Sequence, residues 1–197
     1  DYLAISATND LFIAKMLPAL KQYFVNDLGI AKYWPGDRIF ELCDPDTGKF
    51  GATHSHDYEK MWGRIILRTA ESEAGMQSFS AKAAWMDEPG LYDARVWKDV
   101  RGRVSLAAGP VLGTTTPYDM GWLKQQIYDP WVQGDPEIDV INFVSTVNPF
   151  FSQAEYESLQ RTMQPYQFAM DYKAEFGRPP AAIYEDFIDA LREDGGH

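Results

Sequence analysis

A chain of 197 residues, 45% hydrophobic and 24% charged, has the length and make-up of a globular domain with a buried core. Its formal net charge of −11 argues against a surface coated with basic groups for nucleic acid. The single cysteine, Cys43, excludes an intramolecular disulfide and a multi-cysteine zinc site, and no run nears the roughly 18 apolar residues of a membrane span. A reducing, intracellular setting is the expectation. The chain opens on Asp1 directly into an apolar stretch, and from this we expect a fragment of a longer polypeptide.

Residues 2–8 form a short apolar run closing on small polar residues, which suits a buried parallel strand. Thr8, Asn9 and Asp10 supply helix-cap chemistry, and Ile13, Met16, Leu17, Leu20 and Phe24 then recur at helical spacing. Gly29 offers a stop, and Pro18 is expected to kink or split the helix. Residues 30–61 are rich in turn formers and read as loops with short strands, as in a hairpin insertion. Buried strands are expected at 64–69 and 82–87, a helix at 93–107 and a strand at 109–116. A short helix near 120–128 leads to a last strand at 138–144. Ser152 and Glu155 form a capping box, and its helix puts Tyr156, Leu159 and Met163 on one face. Pro165 starts a further helix carrying Phe168 and Tyr172 and stopping at Gly177, beyond which a linker and an acidic tail follow. Strands alternating with helices define an α/β layer fold around a parallel sheet.

Asp87-Glu88 closes an apolar strand, Ala83-Ala84-Trp85-Met86, and Pro89-Gly90 then turns the chain away. In open parallel sheets ligands bind at the carboxyl ends of the strands. Two acids there can divide the labour of ATP hydrolysis, one orienting Mg²⁺ and the other polarising the attacking water. The plainer alternative is an acidic surface turn. About 25 residues on, Gly113-Thr114-Thr115-Thr116-Pro117 ends the next expected strand. Hydroxyls there could sense a γ-phosphate, or merely satisfy backbone groups.

Together these elements resemble the Walker B and coupling motifs of phage-type terminase large subunits. Gly63-Arg-Ile-Ile-Leu-Arg-Thr-Ala-Glu-Ser and Glu73-Ala-Gly-Met-Gln-Ser-Phe are similar to that family's strand and glycine-containing loop before Walker B. Phe168-Ala-Met-Asp-Tyr-Lys-Ala-Glu-Phe-Gly and Ile183-Tyr-Glu-Asp-Phe look like the end of its ATPase domain. The resemblance implies a P-loop NTPase-like α/β fold, a mostly parallel central sheet with helices on both faces, missing the P-loop strand and helix. It implies a motor that couples ATP hydrolysis to movement of double-stranded viral DNA into a procapsid in the host cytoplasm, with the portal protein and small terminase subunit as partners. Asp87 would hold Mg²⁺, Glu88 would be the catalytic base, and Thr114, Thr115 and Thr116 the coupling motif; Arg64 and Arg68 are candidates for the γ-phosphate. Residues 1–180 would be the partial ATPase domain and 181–197 a tail towards a nuclease domain.

A phosphate-binding loop needs Gly-x-x-x-x-Gly-Lys-Ser/Thr, and this sequence holds none. At Thr47-Gly48-Lys49-Phe50, Phe50 stands where Ser or Thr is needed and Cys43 where the first glycine is needed. The expectation is a chain that alone binds ATP poorly and hydrolyses little or none. His54-Ser-His56-Asp57 offers two imidazoles and a carboxylate but has no further nearby His or Cys to complete a zinc site. Two other readings stay open: a non-catalytic interaction module with a degenerate nucleotide-binding fold, and a helicase-like P-loop ATPase fragment. A sheet lacking its first strand would expose an edge and favour self-association.

Overall fold

The computed structural model describes residues 1–71 and 79–177. Residues 73–78 of the glycine-containing loop, the segment 183–187 and the acidic tail lie outside the described residues. The chain forms two compact units, Asp1–Thr115 and Thr116–His197.

The first unit is built on six strands: β1 (Tyr2–Ser6), β2 (Ala31–Trp34), β3 (Ile39–Leu42), β4 (Gly63–Thr69), β5 (Ala84–Asp87) and β6 (Val111–Thr114). Their order in the sheet is β2-β3-β4-β1-β5-β6. The pairings of β1 with β4, β1 with β5 and β5 with β6 are parallel; the turn-rich insertion supplies an antiparallel hairpin that pairs through β3 with β4. Helices flank this mostly parallel sheet, the α/β architecture that the strand and helix alternation predicts.

One helical run, α1, occupies residues 9–27, α-helical at Asn9–Leu11 and Leu17–Leu20 and π-helical at Phe12–Met16 and Lys21–Asp27. The Thr8 hydroxyl caps its start by accepting from the Leu11 N–H. Pro18 does not split it: the proline sits early in the Leu17–Leu20 turn, and the wider π turns on either side absorb its missing donor. The inward stripe is Phe12, Met16 and Leu20, joined by Ala4, Phe40 and Leu67 from the sheet. Ile13, expected inside, is 54% exposed; Phe12 takes that place, since it is in phase with Met16 and Leu20.

A second helix, α2 (Ala94–Val104), is capped by Asp93 and buries Val96, Val100 and Val104. From β1 through α1 the chain returns to β4 on one side, whereas from β5 through α2 it moves to β6 on the other. Right-handed crossovers running in opposite directions set the two helices on opposite faces. They also make a switch point between β1 and β5, where open α/β sheets bind ligands. Gly109 is obligatory at the turn into β6, because a Cβ there would lie 2.2 Å from the Lys82 carbonyl oxygen.

The second unit is helical among the described residues: α3 runs over 124–132 and is π-helical at Lys124–Tyr128, followed by α4 (Gln153–Thr162) and α5 (Pro165–Lys173). Ser152 caps α4 through the Glu155 N–H, as its sequence predicts. Phe168 is buried against Tyr156 and Tyr172. The strand expected at 138–144 does not form: the segment joins no ladder among the described residues, and Ile141 and Phe143 are 71% and 65% exposed. β-Branched composition makes a strand only where a neighbour completes its hydrogen bonds.

Candidate functional site

Because β5 and β6 are parallel neighbours, they end together, and Asp87 stands directly beside Thr114 in the register. The chain then leaves β5 abruptly. Glu88 adopts a left-handed conformation, φ 58°, and donates its backbone N–H to the Thr114 carbonyl at 2.7 Å. A non-glycine residue held there stores about 1–2 kcal/mol of strain, which the surrounding bonds must maintain.

The side chains repeat one pattern twice. The Trp85 indole N–H donates to the Thr114 hydroxyl at 2.9 Å, and that hydroxyl donates to Asp87 Oδ1 at 3.3 Å. The Gly90 N–H donates to the Thr115 hydroxyl at 3.2 Å, and that hydroxyl donates to Glu88 Oε2 at 3.3 Å. A fixed N–H uses an acceptor site on each threonine and so directs its single proton towards a carboxylate. Beneath them the Tyr92 hydroxyl lies 2.6 Å from the Ile5 carbonyl and 2.7 Å from that of Asp87, pinning the ends of β1 and β5 with one shared proton. Burial and the two neighbouring carboxylates push the Tyr92 phenol far above its usual range, so it stays a donor.

Burial raises the Asp87 carboxyl above its ordinary value; the Thr114 hydrogen bond opposes this, Glu88 adds to it, and Lys15 opposes it. Leu11, Lys15, Met16, Ala19, Trp85, Asp87 and Glu88 line a cleft of about 270 Å³ between α1 and the end of β5. Lys15, Trp85 and Tyr92 do not stand out in the sequence. Helical periodicity shows that Lys15 is on the outside of α1's apolar stripe, but not which strand end it faces.

The other predicted residues lie elsewhere. Arg64 is at the amino end of β4, in a forked ion pair with Asp1 and over the Tyr58 ring, some five residues or about 16 Å along the strand from the level of Asp87. Arg68 is at the carboxyl end of β4, level with Ile5 and Met86, with β1 standing between it and β5. Thr116 follows as the first residue of the second unit. Gly48 and Lys49 occupy a turn closed onto Asp44, with no helix after them, unlike a phosphate-binding loop. His54, Thr53 and Lys60 surround Asp57, and no group of three metal-ligating side chains occurs among the described residues. No described helix is long and apolar enough to cross a membrane.

An open, mostly parallel sheet with an acidic pair and threonine hydroxyls at adjoining strand ends is a P-loop NTPase-like α/β fold. Solved structures that share this fold include phage large terminases. The large terminase of a thermophilic bacteriophage superposes with a TM-score of 0.70 at 13% identity, covering 89% of this chain and 40% of that one. The large terminase ATPase domain of a Thermus phage gives 0.64 at 14% identity, over 89% of this chain and 76% of that one. The first of these terminases, in complex with ADP, gives 0.60 at 12% identity, over 90% of this chain and 40% of that one. The chain thus spans about two fifths of that protein's length. No protein-family model matches it, and no curated protein matches its sequence.

Proposed function

We propose that this chain is part of the ATP-hydrolysing motor of a viral DNA-packaging machine, a terminase large subunit, with residues 1–180 as the motor portion. The observation that carries the reading is the doubled relay: each hydroxyl at the end of β6 donates to one acid at the end of β5. The terminase neighbours, one of them an ADP complex, support it at the level of fold.

The donors suit Mg²⁺, which favours a carboxylate or two and keeps water and phosphate oxygens as its other ligands. Asp87 and the Thr114 hydroxyl offer such hard oxygens side by side. Mg²⁺ with ATP would supply a polarised phosphoryl group in line for attack. Glu88, aimed by its left-handed backbone and by Thr115, would take the proton of the attacking water. Lys15 would offset the negative charge on that side of the cleft. When the charge beside the acids changes, the two threonine bonds would carry the change into β6 and on to Thr116. Double-stranded DNA, the portal protein, the small subunit and the host cytoplasm belong to this reading.

The phosphate-binding loop must then come from sequence outside these 197 residues. The chain alone should turn over ATP negligibly. In a polypeptide carrying that loop together with this chain, Glu88→Ala should lower Mg²⁺-dependent ATP turnover about 10²–10⁴-fold while ATP still binds. Unchanged turnover in Glu88→Ala, or turnover near one per second from the isolated chain, refutes the proposal.

A further inference from the structure

The two threonine relays at the ends of β5 and β6 differ in what holds them. Thr115 accepts from a backbone N–H, that of Gly90, whereas Thr114 accepts from a side chain, the indole of Trp85. In the register Trp85 pairs with Leu112 and Asp87 with Thr114, so Trp85 and Thr114 are diagonal neighbours. Strand side chains alternate between faces, which puts Trp85, Asp87, Leu112 and Thr114 on one side of the sheet. A diagonal neighbour there is within reach of an aromatic ring.

Packing helps to aim the indole. Trp85 is partly buried against the cluster that Phe12, Met16 and Leu20 of α1 form with the sheet, and it lines the smaller cleft together with Leu11, Met16 and Asp87. A threonine hydroxyl has one proton and two acceptor lone pairs. At Thr114 the Trp85 N–H, 2.9 Å away, takes one lone pair, and Asp87 Oδ1, 3.3 Å away, takes the proton. One lone pair remains. With the Cβ bond, the proton and the first lone pair all assigned, its direction is fixed. Without the indole N–H the hydroxyl can turn about its Cβ–Oγ1 bond, and both assignments lapse.

We propose that Trp85 is a positioning residue for a hard divalent cation: its N–H holds the Thr114 hydroxyl with the proton on Asp87 and the remaining lone pair presented beside it as a ligand. This rests on the reading of Asp87 as the Mg²⁺-holding acid, and adds to it a residue that acts only through Thr114. Removing the hydrogen bonds that orient a metal's ligands costs about 10–100-fold in affinity. The relay to Glu88 hangs on the Gly90 backbone, so the same change leaves it in place.

Two readouts test this, neither of them turnover. The first is the set of indole N–H resonances of the six tryptophans in the 197-residue chain, with that of Trp85 identified by its loss in Trp85→Phe. Thr114→Val should move the Trp85 resonance, and so should Asp87→Asn, although Trp85 and Asp87 are joined only through Thr114. The remaining indole resonances verify that each variant is folded. A Trp85 resonance indifferent to Thr114→Val overturns the proposal.

The second is Mn²⁺ binding, read by electron paramagnetic resonance in the presence of a non-hydrolysable ATP analogue, in a polypeptide that carries the phosphate-binding loop together with this chain. Mn²⁺ is the probe because it takes the same oxygen ligands as Mg²⁺. Trp85→benzothienylalanine keeps the two-ring shape and puts sulfur in place of the N–H; it should weaken Mn²⁺ binding about tenfold or more. Trp85→5-fluorotryptophan keeps the N–H and should bind as the parent does. Equal affinity in these two variants overturns the proposal, because packing alone would then account for Trp85. If Asp87→Asn abolishes Mn²⁺ binding while the benzothienylalanine variant matches the parent, the reading of Asp87 stands and this inference falls. If Asp87→Asn leaves Mn²⁺ binding intact, both fall.

Discussion

At Glu88 two demands meet in one residue: a left-handed backbone and a carboxylate aimed by Thr115. Glycine meets the first demand and abolishes the second. Glu88→Gly should therefore raise stability by roughly 0.5–1 kcal/mol in urea denaturation, although it removes the proposed base. Loss of stability would mean that the carboxylate's bonds outweigh the strain. Asp87 makes a complementary case. Its carboxyl is raised in the folded state, so the fold binds the proton more tightly than the unfolded chain does. The ionised group costs stability at neutral pH, and that cost fades as pH falls through the folded value and is gone below about 3.9, the unfolded value. Asp87→Asn should be more stable than the parent at pH 7, the difference closing towards about pH 4; thermal unfolding across that range reads the sign. Tyr92→Phe leaves a buried carbonyl and a part-buried one short of a donor and should cost about 1–3 kcal/mol.

Elements with strong local signals are where sequence and structure agree. The Ser152–Glu155 box, the Thr8 cap and the apolar runs of β1, β4 and β5 state their conformations within a few residues. Asp87 and Thr114 meet because strand-ending motifs on successive parallel strands have few other places to go. What sequence could not supply is information that resides between elements. The phase of α1 turned on Phe12 against Ile13, a difference of about 100° that periodicity alone leaves open. The run at 138–144 looked like a strand because composition is local and ladder partners are not. Arg64 and Arg68 sit four residues apart on one strand, and only the register shows that they serve its two ends. The phase of α1 is measurable: Phe12→Ala should cost about 3–5 kcal/mol of stability, whereas Ile13→Ala should stay within about 0.5 kcal/mol. Equal costs would mean the stripe is assigned to the wrong face.

For the first unit as a whole, β6 is the outermost strand on its side, bonded to β5 alone among the described strands, with Leu112 61% exposed. Unpaired strand borders recruit other chains. Concentration-dependent association in light scattering is expected, and Leu112→Lys should suppress it; a monomer at all concentrations counts against the idea. The same strand carries the hydroxyls that reach both acids. Within the first unit, the border of the sheet and the acid pair are therefore one strand apart. Under the proposed function, a neighbour that grips this border would touch the strand that carries the coupling hydroxyls, so assembly and turnover should resist being tuned independently.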